Sequence, residues 1–356
     1  MKRLALLLGS LLVVSAAASA KEVVPAPVVV EEAPVQIVEK EVIVYRDKEE
    51  GFRPNGYVDL QYRWYGDTEG QNFDNGWNGA NNYSRTQLIT KINMTEKQAL
   101  EARIRNYNDL DKEMDRESVS GTQTRLRYFY DHGLVGDSKV DLTSRLEYRD
   151  NGDGDDSQYI EYQAQFNFAD YLFNNDFVKT TNFQVAPKYR YAWGADNSSD
   201  YDNQVGVDLY TMHEFPLGFS FEFNLYNTQH FYGQDQSFDA GAKKEDKNFT
   251  VDMEAYIYNT TNLYTNGNYS VDFEFEGGYD AYQWSQEKKF GASKTENAKY
   301  SLYALPYIQL SYQATEFTSL YAAAGAEYRD WSVDSQKSAT NWRWQPTVWA
   351  GFKTTF

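Results

Sequence analysis

The sequence predicts an all-β fold, a transmembrane antiparallel β-barrel of about 14 strands with short turns at one end and longer loops at the other. Three observations carry that expectation. Apolar and polar residues alternate with a period of two along most of the chain, the connections between such stretches run short and long in turn, and the chain closes on an aromatic strand. Composition agrees: 30 Tyr, 21 Phe and 8 Trp stand against only 8 Pro in 356 residues, and aromatic residues favour strands. The mean hydropathy of −0.71 is no obstacle, because lipid-facing and lumen-facing residues alternate along a barrel strand and average out.

The terminal stretch shows the pattern best. Its even positions read Trp342, Trp344, Pro346, Val348, Ala350, Phe352, Thr354 and Phe356, and its odd positions Arg343, Gln345, Thr347, Trp349, Gly351, Lys353 and Thr355. Such alternation marks a strand whose faces see different solvents. A final Phe resembles the signal read by the assembly machinery of bacterial outer-membrane barrels, and Phe356 is assigned that role. The absence of cysteine excludes disulfides and thiolate metal sites. Stability is then expected from a closed ladder of backbone hydrogen bonds that leaves no edge.

At the amino-terminus, Lys2 and Arg3 precede an apolar run from Leu4 to Val14, and Ala18-Ser19-Ala20 offers a small-x-small cleavage site. This reads as a signal peptide over residues 1–20. The run is short for a spanning helix, no Cys follows to take a lipid, and the mature chain is expected to begin at Lys21. Residues 21–53 carry Pro25, Pro27 and Pro34 in a Val/Glu-rich tract and read as a periplasmic leader, a solvated spacer in preference to a plug or tether. The barrel is assigned to residues 54–356.

Within it, Val58, Leu60, Tyr62 and Trp64 oppose Asp59, Gln61 and Arg63. The second strand sets Leu88, Ile92 and Met94 against Arg85, Gln87, Lys91 and Asn93, with Ile89 breaking the polar face. A third sets Leu100, Ala102 and Ile104 against Glu101, Arg103 and Arg105. The fourth and fifth place Leu126, Tyr128 and Tyr130, then Val140, Leu142 and Leu146, opposite Arg125, Arg127, Lys139, Asp141, Arg145 and Glu147. Ile160 to Phe168 and Phe183 to Trp193 supply the sixth and seventh. Further strands are predicted near 203–214, 219–231, 248–258, 269–284, 299–313 and 318–331, so the terminal strand is the fourteenth. An even count is what a single-chain bacterial barrel requires; sixteen strands would follow if residues 35–50 or 169–180 contributed.

Six connections, near 95–97, 132–138, 169–180, 215–218, 259–268 and 314–317, include several tight turns. The other seven, near 66–81, 109–120, 150–155, 194–202, 233–247, 285–297 and 332–339, are longer and rich in Asp, Asn, Gly and Ser. Alternation of this kind matches short periplasmic turns and long outer loops. Aromatic residues gather at strand ends: Tyr62, Trp64, Tyr148, Tyr191, Trp193 and Trp342 on the loop side, Tyr128, Tyr130, Phe166, Phe168, Phe183, Phe219 and Phe356 on the turn side. Two such belts suit membrane interfaces.

The leader Lys21-Glu22-Val23-Val24-Pro25-Ala26-Pro27, the stretch Val42-Ile43-Val44-Tyr45-Arg46-Asp47, the first strand from Arg53-Pro54-Asn55-Gly56 to Trp64-Tyr65-Gly66, the block Leu320-Tyr321-Ala322-Ala323-Ala324-Gly325 and Trp342-Arg343-Trp344-Gln345-Pro346 together resemble the fusobacterial major outer-membrane porins of the FomA type. The resemblance runs the whole length and is weakest in the loops. It implies a general-diffusion, voltage-responsive porin assembled as a homotrimer.

With the polar parity turned to the lumen, the first five strands contribute Arg63, Arg85, Lys91, Arg103, Arg105, Arg125, Arg127, Lys139, Arg145 and Arg149, against the anions Asp59, Glu101, Asp141 and Glu147. Strands eight to eleven contribute Asp208, Glu214, Glu222, Asp252, Glu254, Asp272, Glu274, Glu276 and Asp280, with no cation on that parity. A basic wall facing an acidic wall sets up a transverse field, which orients dipolar solutes and tunes ion preference. The formal charge of −18, more negative still once Lys2 and Arg3 are cleaved, predicts weak cation preference and argues against nucleic acid as a partner. The predicted partners are membrane lipid, ions and small hydrophilic solutes. No cofactor or metal is expected.

An enzyme is the rival class. A hydrolase needs a nucleophile and a base, and His132, His213 and His230 are the chain's three histidines. The first two fall near turn-side ends and the third near a loop-side end, so they are read as lone surface or interface residues. The other alternative is a surface-exposed adhesin whose Asp- and Asn-rich loops bind partners.

Overall fold

The computed structural model describes residues 51–70, 82–110, 120–152, 157–194, 200–238, 241–287, 301–331 and 341–356. The predicted signal peptide and nearly all of the leader, including residues 35–50, lie outside them, as do most of the predicted outer-loop tips.

Fourteen strands form the barrel: β1 (Asn55–Tyr65), β2 (Tyr83–Asn93), β3 (Gln98–Asp109), β4 (Gly121–Leu134), β5 (Asp141–Gly152), β6 (Ser157–Asn167), β7 (Lys179–Gly194), β8 (Tyr201–Glu214), β9 (Phe219–Phe238), β10 (Lys243–Asn266), β11 (Tyr269–Ser285), β12 (Ser301–Gln313), β13 (Thr318–Trp331) and β14 (Asn341–Thr355). Each pairs antiparallel with its sequence neighbours, and β14 returns to pair with β1 from Tyr57↔Thr355 to Tyr65↔Thr347. Closure satisfies every edge, which is the condition for sheet in hydrocarbon. The ring is complete at fourteen. Residues 169–180, weighed as part of a sixteen-strand barrel, form a 3₁₀ turn at Ala169–Tyr171 and an isolated bridge Asn174↔Lys179 instead.

The burial pattern is that of a globular protein turned inside out. Leu146, Ile160, Val205, Val207, Ile308, Leu310, Leu320 and Val348 are exposed, whereas Gln163, Glu147, Glu161, Asp208 and Thr347 are 2% exposed or less. A chain folding in water would bury the first set; a lipid exterior and a wet interior reverse the preference. On the loop side the outward aromatics stack, Tyr191 against Trp193 at 5.6 Å and Tyr328 against Trp342 at 4.9 Å between ring centroids.

Two connections differ from the sequence expectation. Residues 233–247 were expected as an outer loop, but β9 runs on to Phe238 and β10 begins at Lys243, paired as Lys243↔Phe238 and Glu245↔Gln236. The segment is polar on both faces because it lies beyond the apolar band: at about 3.3 Å per residue, a 24-residue β10 is more than twice the 9–11 residues that a tilted strand needs. Residues 259–268 were expected as a turn, yet β10 and β11 stay paired to Asn266↔Tyr269. The β-branched Thr260, Thr261 and Thr265 sustain the strand, and the reversal falls on Gly267, whose φ of +57° is left-handed. Lys139 is likewise not on a strand; it sits in the exposed β4–β5 turn, which removes it from the basic wall.

Candidate functional site

Register fixes which side chains share the interior. One row runs Lys91↔Glu101↔Arg127↔Glu147↔Glu161↔Arg190↔Gln204↔His230↔Asn248 across nine strands, and Glu147, Glu161, Gln204 and Asn248 in it are buried. A cavity of about 440 Å³ opens among side chains of β3 to β10, lined by Arg127, Arg145, Tyr210, Glu222, Asn224 and Glu254 among others.

On β4 to β7 the interior carries a linked ion-pair network, and a separate pair joins β7 to β8. Arg127 Nε donates to Glu147 Oε2 at 2.6 Å, and the Tyr159 hydroxyl donates to Glu147 Oε1 at 2.7 Å. Arg145 Nη2 donates to Glu161 Oε1 at 2.5 Å, while Arg190 Nη2 lies 2.6 Å from Glu161 Oε2. Lys188 Nζ lies 2.7 Å from Asp208, which also accepts from Gln163 at 2.9 Å and from the Tyr210 hydroxyl at 3.2 Å. Glu161 at 1% and Arg145 at 6% exposure are withdrawn from water, so pairing is obligatory there.

Asp208, counted with the acidic wall, is therefore held by a cation of β7. Arg127 and Arg145, counted with the basic wall, are held by β5 and β6 carboxylates. A strand-by-strand tally of signs misses this because ion pairs form between strands.

The remaining predicted cations lie on β1 to β5. Arg103 faces Arg125, which faces Arg149, three guanidiniums abreast. Arg105 Nε donates to Gln87 Oε1 at 2.7 Å, and Lys91 lies 3.5 Å from Glu101. Arg63 and Arg85 are cross-strand partners. The Arg63 guanidinium sits over the rings of Tyr65 and Trp349 at 4.6 and 4.5 Å, a cation–π contact.

On β9 to β11 a set of carboxylates has neutral donors, unlike Glu245 beside Lys243 on β10 and Glu327 beside Arg329 on β13. Glu222 accepts from Tyr258 at 2.9 Å and Asn224 at 2.7 Å; Glu276 from Tyr303 at 2.6 Å; Glu274 from Thr260 at 2.6 Å; Asp272 from Asn262 at 2.7 Å and Ser270 at 3.0 Å. Glu254 accepts from Tyr226 at 2.9 Å, and Asp252 stands between Tyr226 and Gln283. Among the described residues, Glu222, Asp272, Glu274 and Glu276 have no Lys or Arg within ion-pair distance. Glu214 lies apart, exposed at the end of β8 and 3.6 Å from Lys179. The side chain of Asp280 is outside the described residues.

Interior tyrosines are what sequence reasoning missed, because parity counting treats Tyr as apolar and assigns it to lipid. For Tyr256, Tyr303, Tyr307 and Tyr321 the signal was a glycine at the facing position. Tyr321 faces Gly351, Tyr307 faces Gly325, and Gly278 lies between Tyr256 and Tyr303. The absent Cβ lets each ring lie across the neighbouring strand. Tyr321 thus crosses β14 to donate to Asp59 on β1 at 2.6 Å, and Tyr307 meets Trp349 across β13 at 4.7 Å.

The histidines are not brought together. His132 contacts Ser144 at 2.9 Å and His213 contacts Thr180 at 3.0 Å. His230, read from sequence as a lone surface or interface residue, lies in the interior row, 2.7 Å from Asp202 and 3.1 Å from Thr250. Phe356 follows β14 directly.

No protein-family model matches the chain, and no curated protein does so. Solved structures similar to it include a bacterial polysaccharide outer membrane secretin (11% identity over 85% of this chain and 97% of that one, TM-score 0.39). The outer membrane channel DcaP of Acinetobacter baumannii is similar at 11% identity, with 85% and 96% covered and a TM-score of 0.38. Salmonella typhi OmpF in complex with daunomycin is similar at 10% identity, with 86% and 98% covered and a TM-score of 0.36. At such identities the likeness is one of barrel architecture.

Proposed function

We propose that the chain is an outer-membrane porin that passes ions and small hydrophilic solutes passively and prefers cations. The observation that carries this reading is the set of interior carboxylates on β9 and β11, Glu222, Asp272, Glu274 and Glu276, whose partners are hydroxyls and amides. A neutral donor leaves the negative charge in place, and charged walls set ion preference. The arginine row of β3 to β5 stands against them: β4 and β11 are seven strands apart either way round the ring, which supports a transverse field across the pore. An exposed apolar exterior supports residence in lipid.

Membership of the FomA-type porin family, a cleaved signal peptide, voltage response and a homotrimer belong to the same proposal and rest on the sequence resemblance. Recognition of Phe356 by the assembly machinery rests on its terminal position.

The test is single-channel current from purified, refolded protein in a planar bilayer with unequal salt on the two sides. Stepwise conductance with a reversal potential favouring cations is expected, and Glu274→Lys with Glu276→Lys should abolish or invert that preference. Silent insertion of a barrel shown to be folded by heat-dependent gel mobility would overturn the pore and leave the loop-binding adhesin.

A further inference from the structure

The interior cavity between β3 and β10 has a chemical asymmetry that a water-filled pore does not require. Its cations are ion-paired, Arg127 to Glu147 and Arg145 to Glu161, with Arg145 Nε a buried donor that takes no partner among the described residues. Its acceptors are in excess. Among the described residues, Glu222 holds the Asn224 amide and the Tyr258 hydroxyl and no cation. Asn224, 4% exposed, spends its amide nitrogen on Glu222, and its Oδ1 is buried without a donor among the described residues. A buried acceptor of this kind calls for a partner.

The rings beside these groups are suited to positive charge. Tyr210 and Tyr226 meet edge to face at 5.7 Å, and each already has a cation of the protein near its face, Arg145 at 6.0 Å from the Tyr210 centroid and Lys188 at 5.9 Å from that of Tyr226. Such contacts are modest individually but selective for cations.

Three solute classes can be compared on these terms. An anion would meet Glu222, Glu254 and Glu101 in the lining. A sugar brings an acceptor with every hydroxyl donor. An ammonium or guanidinium group brings donors and no acceptor, which is what Glu222 and Asn224 Oδ1 lack. We infer that this cavity is a binding station for organic cations, solutes carrying a protonated amine or guanidinium, with Glu222 and Asn224 as the receiving pair. About 440 Å³ lies within the range of small-molecule sites. As a station on a permeation path the cavity rests on the porin reading; as a binding site it does not.

The probe is agmatine, titrated calorimetrically into the refolded full-length chain in detergent, with glucose and glutamate as comparison solutes. Saturable binding is expected for agmatine alone. Glu222→Gln should weaken it at least tenfold, and Asp137→Asn, in the exposed β4–β5 turn, should leave it unchanged. Asn224→Asp supplies a second carboxylate at the orphaned acceptor and should tighten binding severalfold, a gain that misfolding cannot produce. Equal binding of glucose, or the same affinity in Glu222→Gln and Asn224→Asp as in the native chain, would overturn the assignment. Conducting channels that bind no agmatine would sink this inference alone, whereas agmatine binding by a barrel silent in bilayers would sink the porin reading alone.

Discussion

On β5, β6 and β8 the carboxylates of Glu147, Glu161 and Asp208 are met by guanidinium or ammonium groups at 2.5–2.7 Å. On β9 and β11, and on β1 beside them in the ring through β14, those of Glu222, Glu276 and Asp59 are met by tyrosine hydroxyls at 2.6–2.9 Å. In both arcs these carboxylates accept hydrogen bonds or ion pairs; charge is cancelled in only one. The first arc is dry, with Glu147, Glu161, Gln163 and Asp208 almost fully covered. There an unpaired ion would face the full desolvation penalty. The second arc leaves Glu222, Glu274 and Glu276 partly exposed, so water does the remaining screening. One side of the wall is thereby dry and charge-cancelled, and the other is wetter and keeps its negative charge.

The largest test of that division removes a charge from the dry arc. Glu161→Gln leaves Arg145 and Arg190 facing an amide in place of a carboxylate, and breaking a buried network of this kind costs about 3–5 kcal/mol. Glu276→Gln keeps an acceptor for the Tyr303 hydroxyl and should cost about 1 kcal/mol, the scale of one hydrogen bond. Urea midpoints in detergent, read by heat-dependent gel mobility, order the two. Equal losses would mean that both arcs are equally dry.

A smaller effect is expected from the device that lays tyrosines on the wall. A Cβ at Gly351 would stand 2.4 Å from the Leu60 carbonyl oxygen and 2.6 Å from the Tyr321 hydroxyl. The first is backbone and cannot swing aside, so Gly351→Ala should cost about 1–3 kcal/mol, as overpacking does. Conductance should also fall as the Tyr321 ring lifts off the wall. A stable variant with native conductance would show that ring and glycine are neighbours by accident.

Why the barrel was legible and its electrostatics only half so follows from what a period of two encodes. Parity tells which face a residue takes, and Leu146, Ile160 and Val348 fall outside and Arg145, Glu161 and Thr347 inside as the alternation requires. Parity says nothing of register. That Glu161 stands opposite both Glu147 and Arg190 depends on how far each strand is staggered, which turn geometry decides. Tyr303 and Tyr307 were invisible for a different reason: the hydroxyl makes Tyr usable on either face, and only the facing glycines distinguish the cases. The β9–β10 extension was hidden because beyond the membrane both faces see water and the alternation loses its meaning.

The finest test concerns a single hydroxyl. Tyr321→Phe keeps the ring over Gly351 and deletes the donor that Asp59 accepts at 2.6 Å. Asp59 lies in the wet arc, so water can replace the lost partner and the stability change should stay within about 0.5–1.5 kcal/mol. Permeation should move in a definite direction. A tyrosine hydroxyl withdraws part of the carboxylate's charge without cancelling it; released, Asp59 presents more negative potential to the lumen, and the reversal potential under a salt gradient should shift further toward cations. A shift toward anions, or none, would mean that the tyrosines do not tune the acidic arc, and the difference between the two sides of the wall would reduce to burial alone.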